Sequence, residues 1–406
     1  MADKQPESKL SAPASEKGEA SATAGATVQH SEPPAATPAP APATAEAEPT
    51  ATTGESSAPP QAGTAATTTS VTATVTALPP EHWTEAPAGD SDDDGDSALG
   101  EDALSSTASI SSTILKYRTI HGRTFHSEIG NATYWGTNDE RHSESLDVLH
   151  HLFTLCLDGE IYAAPVKDPK KALDIGTGTG IWAMDFADKW PGCEVIGTDI
   201  SPIQPTWVPP NLKFEIDDCT QPWTFEAGSF DYVHIRYLQG CIADWYAFFR
   251  EAYKALAPGG WLESHEASPN VFSDDDTLPP TSAIAQWGPL FVDGGKAIGR
   301  SFTIVDEDIQ RKAMEEAGFV DIQEKLIKVP SGGWPADPKQ REIGIFAQHA
   351  IETDVEGFIL FMTTVLGWSR EQVTVYIAHL RRELRSLKHH VCYWQKVVWG
   401  RKPETA

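Results

Sequence analysis

The sequence predicts an α/β fold in which helices cover both faces of a mostly parallel β-sheet. Short apolar segments of strand type alternate with helix-type segments through residues 166–406, and this alternation is typical of a parallel sheet. Three of the apolar segments end in an acidic residue, which places carboxylates at the carboxyl ends of the predicted strands. Open α/β sheets bind their ligands at that edge, so we expect the functional site there.

The first half of the sheet is predicted from three strands and one crossover helix. Residues 172–174 are a strand that Asp174 closes, and the helix over residues 181–190 is ended by Pro191-Gly192. Residues 193–200 are typical of a buried parallel strand, and the alternating residues 212–216 predict a third strand.

The second half continues the alternation, so that residues 166–406 form one domain. Its predicted elements are a strand over 230–236, a helix over 244–256, a strand entered through the turn at 258–263, a helix over 306–317, a strand over 322–328, a helical insertion over about 330–389 and a final strand over 391–399. Gly318 ends the helix before the penultimate strand. An insertion at that place can shape an acceptor pocket.

The segment Asp174-Ile-Gly-Thr-Gly-Thr-Gly180 follows the first strand and is typical of a nucleotide-cofactor loop. Glycines permit the sharp turn and let a ligand approach backbone N–H groups closely. The dinucleotide pattern would require glycine at position 181, which is isoleucine, and no Gly-Lys-Ser/Thr follows as in a phosphate loop. The pattern favours S-adenosylmethionine as the ligand. Asp174 is then expected to face the ammonium group of the ligand or to order the loop. The alternative to a cofactor loop is a glycine turn of purely structural use.

Acids at the ends of the next two strands extend the predicted cofactor site. Asp199 is expected to accept hydrogen bonds from both ribose hydroxyls, although a helix-capping role is the alternative. Asp217 or Asp218 could accept the adenine amino group, with Asp218 preferred over a solvated turn, and Ile200 could pack on the ring. The predicted cofactor-binding residues are Asp174, Gly176, Thr177, Gly178, Gly180, Asp199, Ile200, Asp217 and Asp218.

These motifs resemble class I S-adenosylmethionine-dependent methyltransferases, and the finer pattern resembles the fungal LaeA-like group. The resemblance covers about residues 122–403 and rests on the motifs at 122–126, 134–139, 176–182, 199–211 and 256–263. It implies a Rossmann-like, seven-stranded, mostly parallel sheet and either methyltransferase activity in fungal secondary metabolism or its regulation. Thr137 and Ser145 depart from residues common in the group, which affects how the N-terminal segment closes over the ligand.

Candidate catalytic residues lie at the carboxyl ends of the fourth and fifth strands. His234 and Arg236 share one face of the fourth strand, and Glu266 follows the fifth. The alternative role is a hydrogen-bonded core histidine for His234, a structural ion pair for Arg236 and a solvent-exposed loop acid for Glu266. A general base is not required if positioning of the acceptor suffices. Tyr134 and Trp135 are candidates for covering the cofactor and contacting the substrate, with aromatic packing equally expected.

Composition divides the 406-residue chain into three predicted parts. Residues 1–112 are rich in Ala, Thr, Pro, Ser and Glu and are predicted to be disordered, residues 113–165 to form an N-terminal helical cap, and residues 166–406 to form the main domain. Of the net charge of −27, residues 1–112 carry −14, because they contain 17 Asp and Glu against 3 Lys and Arg. Both parts are acidic, which argues against direct nucleic-acid binding. The acidic run at 90–97 is interpreted as a solvated spacer rather than a docking site.

Cysteine spacing and hydropathy limit the remaining function classes. The five cysteines have no paired short spacing, so we expect neither zinc nor disulfides, and no apolar run reaches the ~20 residues of a membrane span. No signal-peptide core is found either, and a cytoplasmic or nuclear location is expected.

Two function hypotheses follow. One is an enzyme that methylates oxygen or nitrogen of a small molecule, and the other is a cofactor-binding regulator that acts through protein partners. In the insertion, an apolar stripe from Val373 to Leu387 predicts a helix buried against the core, with a dimer seam as the alternative.

Overall fold

The computed structural model describes residues 75–87, 117–127 and 134–405. Its strands are β1 (Arg118–Ile120), β2 (Arg123–Phe125), β3 (Lys171–Ile175), β4 (Glu194–Asp199), β5 (Leu212–Ile216), β6 (Phe230–Arg236), β7 (Leu256–Ser273), β8 (Val320–Pro330) and β9 (Val391–Arg401). Its α-helices are α1 (Glu140–Cys156), α2 (Ile181–Lys189), α3 (Trp245–Ala255), α4 (Trp287–Ile298), α5 (Ile309–Ala317), α6 (Pro338–Thr353), α7 (Val355–Val365) and α8 (Arg370–Ser386).

Seven strands form the central sheet, in the order β5-β4-β3-β6-β7-β9-β8. The pairs from β5 to β7 are parallel, and β9 runs antiparallel to both β7 and β8. The register pairs Asp174 with both Gly197 and His234, so that β3, β4 and β6 end at the same level. The predicted α/β fold is confirmed, and the acids that end β4 and β5 lie at one edge of the sheet.

The predicted elements of the main domain are present, with differences at their ends and one additional helix. The helix predicted from Asp306 begins at Ile309, because Asp308 adopts a left-handed conformation with φ of 58°. Helix α4 was not predicted because its glycines weaken the helical signal. Close packing accounts for one of them, since a Cβ at Gly294 would lie 2.6 Å from the Met362 sulfur.

The insertion before the last strand is confirmed as three helices, α6, α7 and α8. In α8, Val373, Leu380 and Leu384 are buried against the core, whereas Leu387 is 43% exposed because the helix ends at Ser386. Within the described ranges, no helix combines the length and apolar character needed to cross a bilayer.

The segment before the main domain differs from its prediction in two ways. Most of the tail predicted to be disordered, including the acidic run, lies outside the described residues, but residues 75–87 are placed and contain a short 3₁₀ helix, Pro80–His82. Trp83 is buried there, with its ring centroid 5.0 Å from that of Tyr376. The segment predicted as a helical cap contains the β1–β2 hairpin ahead of α1. Packing against residues distant in sequence, rather than local composition, orders these pieces.

Candidate functional site

The glycine loop between β3 and α2 adopts a conformation that side chains disfavour. Gly176, Gly178 and Gly180 have φ of 68°, 57° and 82°. A Cβ at Gly176 would lie 2.6 Å from Leu238 Cδ2, and one at Gly180 would collide with the Phe214 ring. At Gly176 and Gly180, the two ends of the loop, the backbone angle and the lack of room for a Cβ therefore both require glycine.

Asp174 orders this loop from beneath rather than facing a ligand. Its carboxylate accepts hydrogen bonds from Thr177 Oγ1 at 2.6 Å and from His234 Nδ1 at 2.7 Å, and the residue is buried. His234 also stacks on the Trp182 indole, with ring centroids 3.7 Å apart. Burial lowers the pKa of His234, which keeps the imidazole neutral. Because both side chains lie behind the loop, the catalytic assignment of His234 is replaced by a structural one.

A cavity opens at the carboxyl edge of the sheet, above the loop. The predicted residues that line it are Tyr134, Gly176, Thr177, Gly178, Asp199, Ile200, Asp217, Asp218 and Arg236. The predicted residues Trp135, Asp174, Gly180, His234 and Glu266 do not line it. The parallel strands thus bring together groups from four separate segments of sequence, and α1 covers them.

Asp199 lines this cavity. Its two carboxylate oxygens accept hydrogen bonds from the Gly178 and Ser201 backbone N–H groups, each at 2.9 Å. Burial raises the pKa of Asp199 to about 6, so the carboxylate is still mostly ionised at neutral pH. Each oxygen retains a lone pair for a ligand hydroxyl, which suits the predicted contact with a ribose.

The two acids after β5 differ in their local engagement. Asp218 accepts hydrogen bonds from the Thr220 backbone N–H at 3.0 Å, the Thr220 hydroxyl at 2.6 Å and Gln221 Nε2 at 3.2 Å. Its carboxylate therefore stabilises a turn. The Asp217 backbone is fixed by a 3.0 Å bond to the Asp199 carbonyl, and burial raises the pKa of its carboxyl group. The geometry favours Asp217 over the predicted Asp218 as the acceptor for an adenine amino group.

Arg236 contributes a positive charge to the cavity wall. Its guanidinium lies 4.8 Å from the Phe153 ring centroid, and Nη2 lies 3.2 Å from His150 Nδ1. His150 Nε2 is in turn 2.9 Å from the Asp185 carboxylate. Burial lowers the pKa of Arg236 to about 10, which still leaves it charged at neutral pH. A fixed cation here can bind a ligand carboxylate but cannot remove a proton.

Glu266 is not the exposed loop acid that the sequence suggested. It lies within β7, is fully buried and accepts hydrogen bonds from the Leu238 and Gln239 backbone N–H groups, both at 3.1 Å. Burial raises its pKa to about 8. Glu266 thus holds the backbone that follows β6, and its catalytic assignment is not supported by its position.

Tyr134 and Trp135 point to different places. The Tyr134 hydroxyl lies 3.1 Å from His142 Nε2, and its side chain covers the first cavity. The Trp135 indole donates a 2.8 Å hydrogen bond to the Gln239 carbonyl and lines a second cavity. Only Tyr134 is therefore placed to cover the cofactor.

Two polar residues that the sequence reasoning missed also line the first cavity. Asn138 is 7% exposed, and neither its amide oxygen nor its amide nitrogen has a hydrogen-bond partner. The Ser201 hydroxyl is likewise buried without a partner. Buried polar atoms without partners are costly in a folded protein, so both side chains point to a ligand that satisfies them. Asn138 lies in the 134–139 motif noted above, which was the available signal.

A buried ion cluster holds the 134–139 segment over the cavity. Arg123 donates to Asp354 at 2.8 Å and to Asp139 at 2.6 Å, and His142 Nδ1 lies 3.1 Å from Asp354. Burial opposes ionisation of Asp354, but the hydrogen bonds from His142 and Arg123 prevail and lower its pKa. Thr137, the departure from the group pattern, accepts a 3.1 Å bond from Arg123 in this cluster. No sequence signal marked Asp354, which comes from the insertion.

The second cavity adjoins the first, and Leu149 and Tyr237 line both. It lies among β7, α4 and the inserted helices α6 and α8. A parallel sheet with this strand order, a glycine loop after β3 and a ligand cavity at its carboxyl edge has the architecture of a class I methyltransferase.

Comparison with known proteins identifies the family. Residues 148–324 match the family described as a methyltransferase domain. Methyltransferase pytC of Aspergillus terreus is 38% identical over 305 residues, covering 74% of this chain and 93% of that protein. Secondary metabolism regulator LAE1 of Cochliobolus heterostrophus is 35% identical over 293 residues, covering 70% and 94%. Probable methyltransferase tdiE of Emericella nidulans is 32% identical over 271 residues, covering 66% and 84%.

The chain belongs to the LaeA-like family of methyltransferases. It is a methyltransferase, and its cofactor is S-adenosyl-L-methionine. The first cavity fits that group, because it combines a close-approach glycine loop, a cavity-lining carboxylate and buried polar atoms that lack protein partners. The roles of individual residues remain predictions.

Proposed function

We propose that this methyltransferase transfers the methyl group of S-adenosyl-L-methionine to an oxygen or nitrogen atom of a small molecule in fungal secondary metabolism. The observation that carries the proposal is the second cavity, which adjoins the cofactor cavity at Leu149 and Tyr237. A partly enclosed space with an apolar lining suits a small molecule better than a polymer surface.

The residues around the first cavity would hold the cofactor by complementary chemistry. Asp199 would accept hydrogen bonds from the ribose hydroxyls, Asp217 from the adenine amino group, and Ile200 would pack on the adenine ring. Arg236 would bind the carboxylate of the amino-acid end, a role that replaces the catalytic one predicted for it. When bound, the cofactor supplies a methyl group that bonds to the acceptor atom as its bond to sulfur breaks and the acceptor proton leaves.

The contribution of the protein to the reaction is positioning of the acceptor beside the cofactor. Burial raises the pKa of Tyr237 above its ordinary value, so its phenol stays protonated and donates a hydrogen bond instead of accepting a proton. The carboxylates that line the first cavity, Asp199, Asp217 and Asp218, come from the ends of β4 and β5. Aligning the acceptor with the reacting methyl group accounts for catalysis without a general base.

Calorimetric titration of the purified chain with S-adenosyl-L-methionine tests the cofactor part of this proposal. Asp199→Ala should weaken binding at least tenfold, about 1.4 kcal/mol, because the ribose hydroxyls lose their acceptor. Unchanged affinity in the variant would remove the ribose assignment.

A second candidate function is a regulator that binds S-adenosyl-L-methionine and acts through protein partners. The similarity to LAE1, whose name describes a regulator of secondary metabolism, favours it. Metabolite profiles of a deletion strain separate the two functions. Loss of one methylated compound supports the enzyme, whereas loss of many unrelated products supports the regulator.

The proposed setting is a reducing compartment, the cytoplasm or nucleus. All five cysteines are free thiols, and four of them are buried. The acidic charge of the chain supports a small-molecule acceptor over direct contact with nucleic acid or an anionic membrane surface.

A further inference from the structure

The second cavity has one wall built from aromatic rings. Trp135, Trp287, Phe291, Phe302 and Phe358 contribute it, and their neighbouring ring centroids lie 5.0 to 6.2 Å apart. Edge and tilted contacts of this kind hold the rings in fixed orientations. The wall therefore presents a rigid apolar surface to whatever enters.

Aliphatic side chains from the inserted helices also line the cavity. Ala347 and Ile351 lie on α6, and Leu380 and Leu384 lie on α8. The aromatic rings offer a stacking surface to a flat apolar molecule. The three-helix insertion thus supplies part of the cavity lining.

The cavity lining carries no formal charge among the residues that the structure describes. Its polar members are hydroxyl and amide side chains, namely Tyr237, Gln239, Ser268, Ser331 and Tyr393. A charged ligand would lose its hydration there without a counter-ion, at a cost of several kcal/mol. An uncharged ligand with a few polar atoms would not meet that penalty.

Tyr237 marks the junction between the two cavities. It follows β6 directly, lines both cavities and has a left-handed φ of 62°, which is strained for an aromatic residue. Its backbone N–H donates to the His265 carbonyl at 3.0 Å, and Glu266 holds the next two backbone N–H groups. The surrounding structure thus fixes a hydrogen-bonding hydroxyl beside the cofactor cavity.

We propose that the second cavity binds the methyl acceptor, and that this acceptor is an uncharged, flat, largely apolar molecule with a phenolic or enolic hydroxyl directed at Tyr237. The proposal rests on the proposed function and deepens it by naming the substrate class. An acidic hydroxyl matches the lining, because the described residues that form it include no carboxylate or histidine to take a proton. The new bond joins the acceptor oxygen to the methyl carbon as the carbon–sulfur bond breaks, the electron pair stays on sulfur, and the hydroxyl proton passes to water.

Binding of naphthol to the purified full chain, saturated with S-adenosylhomocysteine, tests the proposal by calorimetry. The wild-type chain should bind naphthol. Ile351→Trp fills the cavity from α6 and should weaken naphthol binding at least tenfold while leaving the affinity for S-adenosyl-L-methionine within about twofold. Ile345→Trp is the matched control, because Ile345 lies on the same helix, is 50% exposed and lines neither cavity.

Tyr237→Phe provides a second variant that keeps the shape of the cavity. It should weaken naphthol binding several-fold by removing one hydrogen bond, and it should leave binding of naphthalene, which has no hydroxyl, unchanged. This pair of ligands separates a hydroxyl contact from a general loss of structure.

Four results would overturn the inference. Equal naphthol affinity in Ile351→Trp and wild type would place the ligand elsewhere, and weakening by Ile345→Trp to the same extent would show a nonspecific effect. Absence of naphthol binding, or tighter binding of tetramethylammonium, would refute the substrate class, because aromatic walls also attract cations. Failure of the wild-type chain to bind S-adenosyl-L-methionine would instead refute the proposed function.

Discussion

Replacing Asp199 by Asn should flatten the pH dependence of the stability of the ligand-free protein. Burial raises the pKa of this carboxyl group from 3.8 to about 6. An acid whose folded-state pKa is raised destabilises the folded protein once it ionises. This penalty is absent well below pH 4, grows between the two pKa values and is complete above about pH 6.

The size of the effect follows from the two pKa values. At 1.36 kcal/mol per pKa unit, the penalty is about 1.6 kcal/mol at pH 5 and about 3 kcal/mol at pH 7.5. Asn also loses one of the two backbone hydrogen bonds that the carboxylate accepts, which costs about 1 kcal/mol or more at every pH. The pH-independent cost cancels when the two pH values are compared. The unfolding free energy of Asp199→Asn relative to wild type should therefore rise by about 1.4 kcal/mol from pH 5 to pH 7.5.

Urea denaturation of both proteins at the two pH values measures this difference. Ser201→Ala is the matched control, because it removes a buried hydroxyl from the same cavity without changing charge and should show no such pH dependence. A relative stability of Asp199→Asn that stays constant or falls from pH 5 to pH 7.5 would refute the raised pKa. It would also refute the interpretation that a destabilising carboxylate is kept for ligand binding.

Three further predictions concern the loop, the ion cluster and the adenine contact. Gly180→Ala should destabilise the protein by about 2 to 4 kcal/mol in urea denaturation, because the residue has a left-handed φ and the Phe214 ring fills the Cβ position; a change below about 0.5 kcal/mol would contradict this. Asp354→Ala should cost about 2 to 4 kcal/mol, since Arg123 and His142 each lose a buried hydrogen-bond partner, and a loss under about 1 kcal/mol would show that water replaces the carboxylate. Asp217→Asn should weaken S-adenosyl-L-methionine binding more than Asp218→Asn in calorimetric titration, and the reverse order would restore the preference drawn from the sequence.

Prediction from sequence succeeded where the signal was local. The glycine pattern, the acid after β4 and the alternation of strands and helices each depend on residues near one another in the chain, and the structure has the predicted strands and loop. Prediction of residue roles was weaker. The sequence analysis placed Asp174 and His234 on the first and fourth predicted strands. Only the register of the folded sheet reveals that these strands are neighbours and that the two side chains bond to each other instead of to a ligand.

The errors share one cause, which is contact between distant segments. Glu266 was predicted to be a loop acid because the apolar character of the sequence changes before it. Strand pairing with β9 nevertheless extends β7 past that point. Trp83 lies in a segment of disordered composition, yet it is buried by residues some 290 positions later. Helix α4 contains glycines that local propensity disfavours, and packing against Met362 of α7 requires one of them, Gly294.

The sequence by itself determined the class of fold, the cofactor loop and the acid after β4, because backbone angles and strand periodicity are properties of neighbouring residues. Tertiary structure decided which side chains line the cavity. Asp174 and Asp199 both lie at or near the end of an apolar strand, but Asp174 is buried behind the loop whereas Asp199 lines the cavity. It also decided that the inserted helices and α4 enclose an uncharged cavity beside the cofactor. That cavity exists only where surfaces from separate parts of the chain meet, and no local pattern encodes the space between them.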